Sequence, residues 1–227
     1  TRLLNTPTAL DMVAGRGRGN VVGFPRGSLF SYNFNGLDIN GLPTFDFGRY
    51  PLGAGDYAHI AGADFLDTQY AKTYLIYHGP VEPRYTGGLS NVFNLGPWEF
   101  SFFVTMQAGN KLRLNPTFDP AFADLNVFSK RYVDRWLNPG DELRTDVPTL
   151  PSQALIDKVG RENIERAYNT YNYSQQMVAD GSFVRLKNVA VAYTLSSARL
   201  KRLPLSSASL RLNVTNPLLI YADKRLH

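Results

Sequence analysis

The residues able to do acid–base or metal chemistry are few and scattered in this sequence. The three histidines are His59, His78 and His227, and no cysteine is present. These histidines have no metal-ligand spacing and none lies near a nucleophile motif. Paired carboxylates such as Asp141 and Glu142 occur, but nothing places them across a cleft, so a solvated loop is their expected position. The sequence therefore predicts no catalytic residue, no metal site and no cofactor, and indicates that the protein is not an enzyme.

Two short motifs resemble known sites only superficially. The glycine-rich run at 15–19 lacks the Lys-Ser/Thr ending of a phosphate loop, so a turn is expected there. The triplet at 46–48 spells Asp-Phe-Gly without any other kinase motif. The net charge is +5, and the basic residues are dispersed apart from Arg199, Lys201 and Arg202. We therefore expect no nucleic-acid partner.

Aromatic side chains offer a different chemistry, which is contact with a substrate or a partner. Aromatic faces stack on sugars and anchor protein interfaces. The candidates in the long excursion between two strands are Tyr132, Trp136, Tyr168, Tyr171 and Tyr173. The alternative is that these residues pack the loop against its own base, and apolar residues at helical spacing favour that alternative.

Two short helices are predicted in this excursion. The first is predicted from apolar residues at helical spacing, among them Leu125, Phe128 and Trp136, and it ends at 138–140. The second helix begins at Ser152, an N-cap residue, and runs to about residue 168.

A strictly alternating segment predicts the strand that organises the chain. One side of residues 98–107 carries Trp98, Phe100, Phe102, Val104 and Met106, and the other carries Glu99, Ser101, Phe103, Thr105 and Gln107. Alternation with period two is typical of a strand, and about ten residues suffice for a tilted strand to cross a bilayer. Gly96-Pro97 predicts a short turn that joins it to an upstream strand as a hairpin.

The last part of the sequence repeats this pattern in two further strands. In residues 182–195 the apolar face contains Val189, Val191, Tyr193 and Leu195, opposite Asn188, Ala190, Ala192 and Thr194. In residues 208–215 the apolar face contains Ala208, Leu210, Leu212 and Val214, opposite Ser209, Arg211, Asn213 and Thr215. Strands that are apolar on one face and polar on the other are typical of an outer-membrane barrel, with lipid on one side and the lumen on the other.

Composition and connection lengths agree with a barrel. The 19 Gly, 14 Pro, 13 Tyr and 14 Phe residues indicate an all-β fold with many turns. Bacterial barrels have short periplasmic turns and long outer loops. The strand that begins at Trp98 should therefore run outward, the strand at Phe183 inward, and the strand at Ala208 outward.

The first 70 residues contain frequent glycines and are expected to be irregular. Residues 34–47 are predicted to form tight turns in an exposed loop. Two prolines exclude a central strand between Pro80 and Pro83.

Five stretches resemble one known family. GPVEPRYTGGLSNVF at 79–93, WEFSFFVTMQAGNKL at 98–112, WLNPGD at 136–141, DGSFVRLKNVAVAYTL at 180–195 and LRLNVTNPLLIYAD at 210–223 resemble the C-terminal part of SusC/RagA-type TonB-dependent outer-membrane transporters. The segment at 24–45 resembles the region before the family's hairpin.

This resemblance implies an antiparallel transmembrane segment of a 22-stranded barrel closed by an N-terminal plug. It also implies import of oligosaccharides or peptides, energised by TonB through a part of the protein absent from this sequence. The implied partner is a SusD-like surface lipoprotein, and the implied location is the outer membrane of a Bacteroidetes cell. The sequence then divides into a barrel segment with an extended outer loop at 1–71, a barrel hairpin at 72–110, a long outer loop with short helices at 111–181, and C-terminal barrel strands at 182–227.

The expected side-chain roles follow the two strand faces. Lipid is expected to contact Trp98, Phe100, Phe102, Val104, Val189, Val191, Tyr193, Leu210 and Leu212. The lumen is expected to contact Glu99, Ser101, Thr105, Gln107, Asn188, Thr194, Arg211, Asn213 and Thr215. A soluble, secreted or periplasmic β-sandwich that binds carbohydrate is the alternative, in which the face of Trp98 is buried against a second sheet.

Overall fold

The computed structural model describes residues 6–14, 20–52, 57–62, 64–118, 130–196 and 206–226. Its strands, in chain order, are β1 (Ser28–Leu37), β2 (Pro43–Asp46), β3 (Leu75–Pro80), β4 (Tyr85–Leu95), β5 (Trp98–Ala108), β6 (Lys111–Arg113), β7 (Val178–Asp180), β8 (Phe183–Ser196) and β9 (Ser207–Tyr221). Its α-helices are α1 (Ala9–Ala14), α2 (Ala58–Ala61), α3 (Ala71–Tyr74), α4 (Gln153–Val159) and α5 (Arg161–Asn172). Short 3₁₀ helices cover Lys130–Asp134, Asp141–Leu143, Gln175–Met177 and Lys224–Leu226.

The chain forms two compact units. The first contains Thr1–Val81 and Lys111–Ala179, and the second contains Glu82–Asn110 and Asp180–His227. No helix in the part of the chain that the structure describes is long and apolar enough to cross a membrane.

The first unit is built around the antiparallel sheet β2-β1-β3 and a large aromatic core. Strand β1 is buried on both faces over its first five residues. Rings from β1, β2 and α5 meet in this core, among them Phe34, Phe45 and Tyr171. Arg113 in β6 donates from Nη2 to the carbonyls of Val13 (2.9 Å) and Phe30 (2.6 Å), which connects α1 to β1.

The expectation of an irregular, exposed N-terminal region is wrong for residues 34–47. Phe34, Leu42, Phe45 and Phe47 are buried. The turn between β1 and β2 is closed because the Asp38 carboxylate accepts hydrogen bonds from the backbone N–H groups at 40 and 42 (2.9 and 2.8 Å). The first half of β1 is buried on both faces, and such a strand shows no alternation of apolar and polar residues from which the sequence could predict it.

The two predicted helices of the long excursion are only partly present. Leu125 and Phe128 lie outside the described residues, and the 3₁₀ helix ends at Asp134, before Trp136. Ser152 is confirmed as an N-cap, since its side chain accepts from the Leu155 N–H. The single helix expected from there is instead α4 and α5, because Gly160 between them has φ of 91°.

The second unit is one antiparallel sheet in the order β4-β5-β8-β9. The predicted hairpin is confirmed: Leu95 pairs with Trp98, and Gly96 in the two-residue turn has φ of 58°, which favours glycine. The two later strands are also confirmed, and β9 continues past Pro217 to Tyr221. The connector that contains Arg199, Lys201 and Arg202 lies outside the described residues.

Candidate functional site

The register of the four-stranded sheet places the apolar residues of all four strands on one face. Directly paired residues of neighbouring strands lie on the same face of a sheet. In this sheet Phe93, Phe100, Val191 and Leu212 form one such row, and the next row along the strands is Asn91, Phe102, Val189 and Val214. We call this surface the apolar face. The nine residues predicted to contact lipid all lie on it: Trp98, Phe100, Phe102, Val104, Val189, Val191, Tyr193, Leu210 and Leu212.

Aromatic residues lie at both ends of the apolar face. At the end near the turn, the rings of Trp98 and Tyr193 are 4.6 Å apart. At the other end lie Tyr85 on β4 and Tyr221 on β9. The ten residue steps of β5 span about 33 Å, and a strand tilted by roughly 40° then covers about 25 Å of height. This height and the two aromatic ends match the apolar band of outer-membrane barrels.

The opposite face of the sheet, the polar face, carries an ion pair across three strands. Glu99 on β5 and Arg211 on β9 both pair with Ala192 on the strand between them. Because the alanine is small, the two long side chains meet above it, with Arg211 Nη2 2.6 Å from Glu99 Oε1. Both side chains are substantially exposed, so this pair is expected to contribute little to stability. All the residues predicted to contact the lumen lie on this face: Glu99, Ser101, Thr105, Gln107, Asn188, Thr194, Arg211, Asn213 and Thr215.

A β-bulge adds residues to the apolar face that the sequence pattern did not reveal. Phe103 pairs with Asn188, whereas the next residue, Val104, pairs with Leu186. Skipping Lys187 reverses the alternation, so Leu186 and Val184 join the apolar face. Leu218 and Tyr221 join it from the extended end of β9.

The predicted contact residues of the long excursion lie mostly inside the first unit. Tyr168 and Tyr171 are 0% exposed. The ring of Tyr168 packs edge-on against Phe118 at 4.8 Å, and its hydroxyl donates to the carbonyl of Thr149. Burial raises the pKa of Tyr171 to about 12. These two rings are covered by the chain itself and offer no face to a ligand in this structure, contrary to their predicted role.

The other three aromatic candidates are positioned nearer the surface. Tyr132 is 9% exposed, and the Arg135 guanidinium lies over its ring at 4.8 Å. Tyr173 is half-buried beneath the Arg113 guanidinium, 5.2 Å from its ring centroid. Trp136 is half-buried, and contact with a substrate or partner stays a prediction for it.

Two carboxylates close the turn that follows Trp136. Glu142 Oε2 accepts from the Trp136 indole N–H (2.9 Å) and the Gly140 N–H (2.8 Å). Asp141 Oδ2 accepts from the N–H groups of Leu137 (3.1 Å) and Asn138 (2.9 Å). These hydrogen bonds lower the pKa of both carboxyls. They also explain why the helix ends before Trp136, since the carboxylates accept hydrogen bonds from backbone N–H groups that would donate to carbonyls in a longer helix.

We expect acid to open this turn. The folded-state pKa of Glu142 is lowered, so its contribution is complete above the ordinary pKa of glutamate and disappears as pH falls through the folded value. The protection factor of the Gly140 amide, which corrects hydrogen exchange for the intrinsic rate at each pH, should therefore be high at neutral pH and fall in acid. In Glu142→Gln this fall should vanish at Gly140 and persist at Asn138, whose N–H donates to Asp141. Equal behaviour of the wild type and Glu142→Gln at Gly140 would show that Glu142 does not hold the turn.

This turn borders an open, charged cleft of about 500 Å³ in the first unit. Its charged lining consists of Arg131, Asp134, Arg135, Asp141, Arg144 and Asp146. Apolar side chains of the same segment are unusually exposed, with Leu143 at 88% and Val133 at 79%. Arginine is enriched at protein interfaces. We call residues 130–147 the charged loop.

The described residues contain no group of three or more His, Asp and Glu side chains placed to hold a metal ion.

Comparison with known proteins points to one kind of protein. No protein-family model matches the sequence. The chain is 26% identical over 196 residues to TonB-dependent receptor P39 of Formosa agariphila, which covers 83% of this chain. It is also similar to solved structures of the RagAB peptide transporter (TM-score 0.54, 20% identity, 87% of this chain) and of the RagAB peptide importer in the closed-closed state (TM-score 0.57, 20% identity, 97% of this chain).

The resemblance to SusC/RagA-type TonB-dependent transporters is confirmed. The all-β fold class with antiparallel sheets is confirmed as well. The chain spans 17% of the curated TonB-dependent receptor and about a fifth of the solved RagAB chains (20% and 21%). It is therefore similar to a segment of these longer proteins.

Proposed function

We propose that this chain is part of the wall and outer loops of a transporter that imports nutrients across the outer membrane. The observation that carries the proposal is the apolar face, which is bounded by aromatic residues at both ends and about 25 Å high on a tilted strand. In this arrangement the lipid-contact residues of β5, β8 and β9 lie against the membrane. The residues of the polar face line a water-filled interior.

The β-sandwich alternative requires a second sheet packed on the apolar face. Within the second unit, no such sheet is present among the described residues. Trp98 is 43% exposed there, and so large an exposed apolar surface marks contact with a membrane or a partner. The exposed apolar face therefore supports the transporter proposal over the β-sandwich alternative.

The whole transporter is expected to work with two partners. A SusD-like surface lipoprotein would cover it from outside, and TonB would supply energy through a part of the protein outside this sequence. The similarity to the RagAB peptide transporter supports this assembly but extends only to the fold.

Of the two substrate classes, the charged loop supports peptides. Arg144, Asp134 and Asp146 provide charges of both signs beside exposed Leu143, as a zwitterionic peptide with apolar side chains would require. Sugar recognition would use exposed aromatic faces, and Tyr168 and Tyr171 are buried instead.

Deletion of the full-length gene in its native host tests this proposal. We expect the deletion strain to lose uptake of labelled oligopeptides, and an uncoupler of the energised inner membrane to abolish the same uptake in the parent strain. Loss of oligosaccharide uptake alone would overturn the peptide assignment. Unchanged uptake of both classes in the deletion strain, together with recovery of the protein from the soluble fraction of the parent strain, would overturn the proposed transporter function.

A further inference from the structure

A cleft of about 190 Å³ opens at the end of the apolar face away from the turn. Two rows of paired residues form it. Tyr85 pairs with Ala108, and Met106 pairs with Val184, which in turn pairs with Tyr221. The small side chains of Ala108 and Val184 on the two central strands form the floor. The two tyrosines on the outer strands and Met106 form the walls.

A glycine lies beside one wall of the cleft, the side chain of Met106. A Cβ atom on Gly87 would be 2.7 Å from Met106 Cε, so a side chain at this position would displace the end of the methionine. The walls project from the sheet: Tyr85 is 72% exposed. The cleft is therefore narrow, lined largely by carbon, and open toward the same side as the apolar face.

The charges near this end favour an anionic group. Arg84, next to Tyr85, and Lys224, three residues after Tyr221, are both exposed. The Asp223 carboxylate is already held by Arg225 at 2.7 Å. Two carboxylates lie near these cations along the chain or in space: Glu82, which is exposed two residues before Arg84, and Asp180, which is half-buried and whose backbone N–H donates to Asp223.

From this geometry we infer that the cleft binds one acyl chain of a phosphate-bearing lipid of the outer leaflet, with Arg84 and Lys224 contacting the headgroup. The inference rests on the proposed function, because the apolar face must lie in the membrane with its Ala108 end outward. Tyrosine is enriched at membrane interfaces, where its ring lies among acyl chains and its hydroxyl among headgroups. Exposed cations near a membrane surface attract anionic lipids.

Lipid binding to the full-length transporter, purified from outer membranes and exchanged into detergent, tests this inference. Phosphatidylglycerol and phosphatidylcholine are titrated separately, and bound lipid is counted by native mass spectrometry. We expect one phosphatidylglycerol to bind more tightly than the others. Ala108→Phe fills the floor, and losing contact with two methylene groups should weaken that site about tenfold. Val191→Phe, on the same face but outside the cleft, is the matched control and should bind as the wild type does.

Two more variants separate the contributions of shape and charge. Gly87→Ala displaces Met106 by a single methyl group and should also weaken the tight site, which keeps the test valid if Ala108→Phe does not fold. Replacing Arg84 and Lys224 by Gln should remove the preference for phosphatidylglycerol over phosphatidylcholine.

The contradicting result is equal lipid binding by the wild type, Ala108→Phe and Gly87→Ala proteins, each recovered from the outer membrane. That result would overturn lipid binding in the cleft but not the proposed transporter function. Loss of the site in Val191→Phe as well would also overturn the cleft. A full-length protein that is soluble without detergent would overturn the proposed function itself.

Discussion

Val214→Arg in the full-length protein is expected to prevent stable assembly in the outer membrane. Val214 lies in the middle row of the apolar face, where it pairs with Val189. An arginine on the lipid face near the middle of a bilayer costs about 2–4 kcal/mol. The folded fraction should be measured from the outer-membrane pool by its resistance to unfolding in detergent before heating.

The neighbouring residue supplies the matched control. Asn213 lies on the polar face and pairs with Ala190, as Arg211 pairs with Ala192 two residues away. Asn213→Arg therefore places the same side chain in a position equivalent to that of a native arginine. It should assemble at wild-type levels. If the two variants assembled equally well or equally badly, the assignment of the faces would be wrong.

Tyr168→Ala is expected to destabilise the first unit by about 3–5 kcal/mol, as large-to-small changes of buried aromatic residues do. Tyr168 is fully buried against Phe118, so the change leaves a cavity in the aromatic core. Thermal unfolding and protease sensitivity of the outer loops in the full-length protein would measure the effect.

Tyr168→Phe separates packing from hydrogen bonding. It keeps the ring and loses only the hydrogen bond to the Thr149 carbonyl, so it should cost about 1 kcal/mol. Uptake should fall with stability in both variants. A Tyr168→Ala protein that is as stable as the wild type but no longer imports substrate would restore the predicted contact role of this residue.

The sequence predicts strands well where one face is apolar and the other polar. The alternation from Trp98 to Gln107 identifies β5 and its two faces, because apolar residues lie on one face of the strand and mostly polar residues on the other. The same rule fails for β1, where Phe30, Ser31 and Tyr32 are all buried and no alternation arises. It also fails locally at Lys187, since the bulge there reverses the alternation and no residue type in the sequence predicts the bulge.

The roles of the aromatic residues in the long excursion are harder to predict, for a physical reason. Tyrosine suits both a core and an interface, so spacing alone does not separate Tyr168 in the core from a surface ring. The turn after Trp136 depends on which amides Asp141 and Glu142 accept, and this is fixed only once the chain has folded. The cleft beside Gly87 depends on pairing across four strands, so no single segment of the sequence predicts it.

The most direct test of the account measures which residues of β9 face lipid. This 227-residue sequence contains no cysteine, so once any cysteine elsewhere in the full-length protein is replaced, single cysteines at Arg211, Leu212, Asn213 and Val214 report one position each. In the full-length protein, each would be labelled with a small fluorophore in detergent and reconstituted in bilayers that contain spin-labelled acyl chains. We expect strong quenching at Leu212 and Val214 and weak quenching at Arg211 and Asn213. Equal quenching at all four positions, or none at any, would contradict the membrane-spanning sheet.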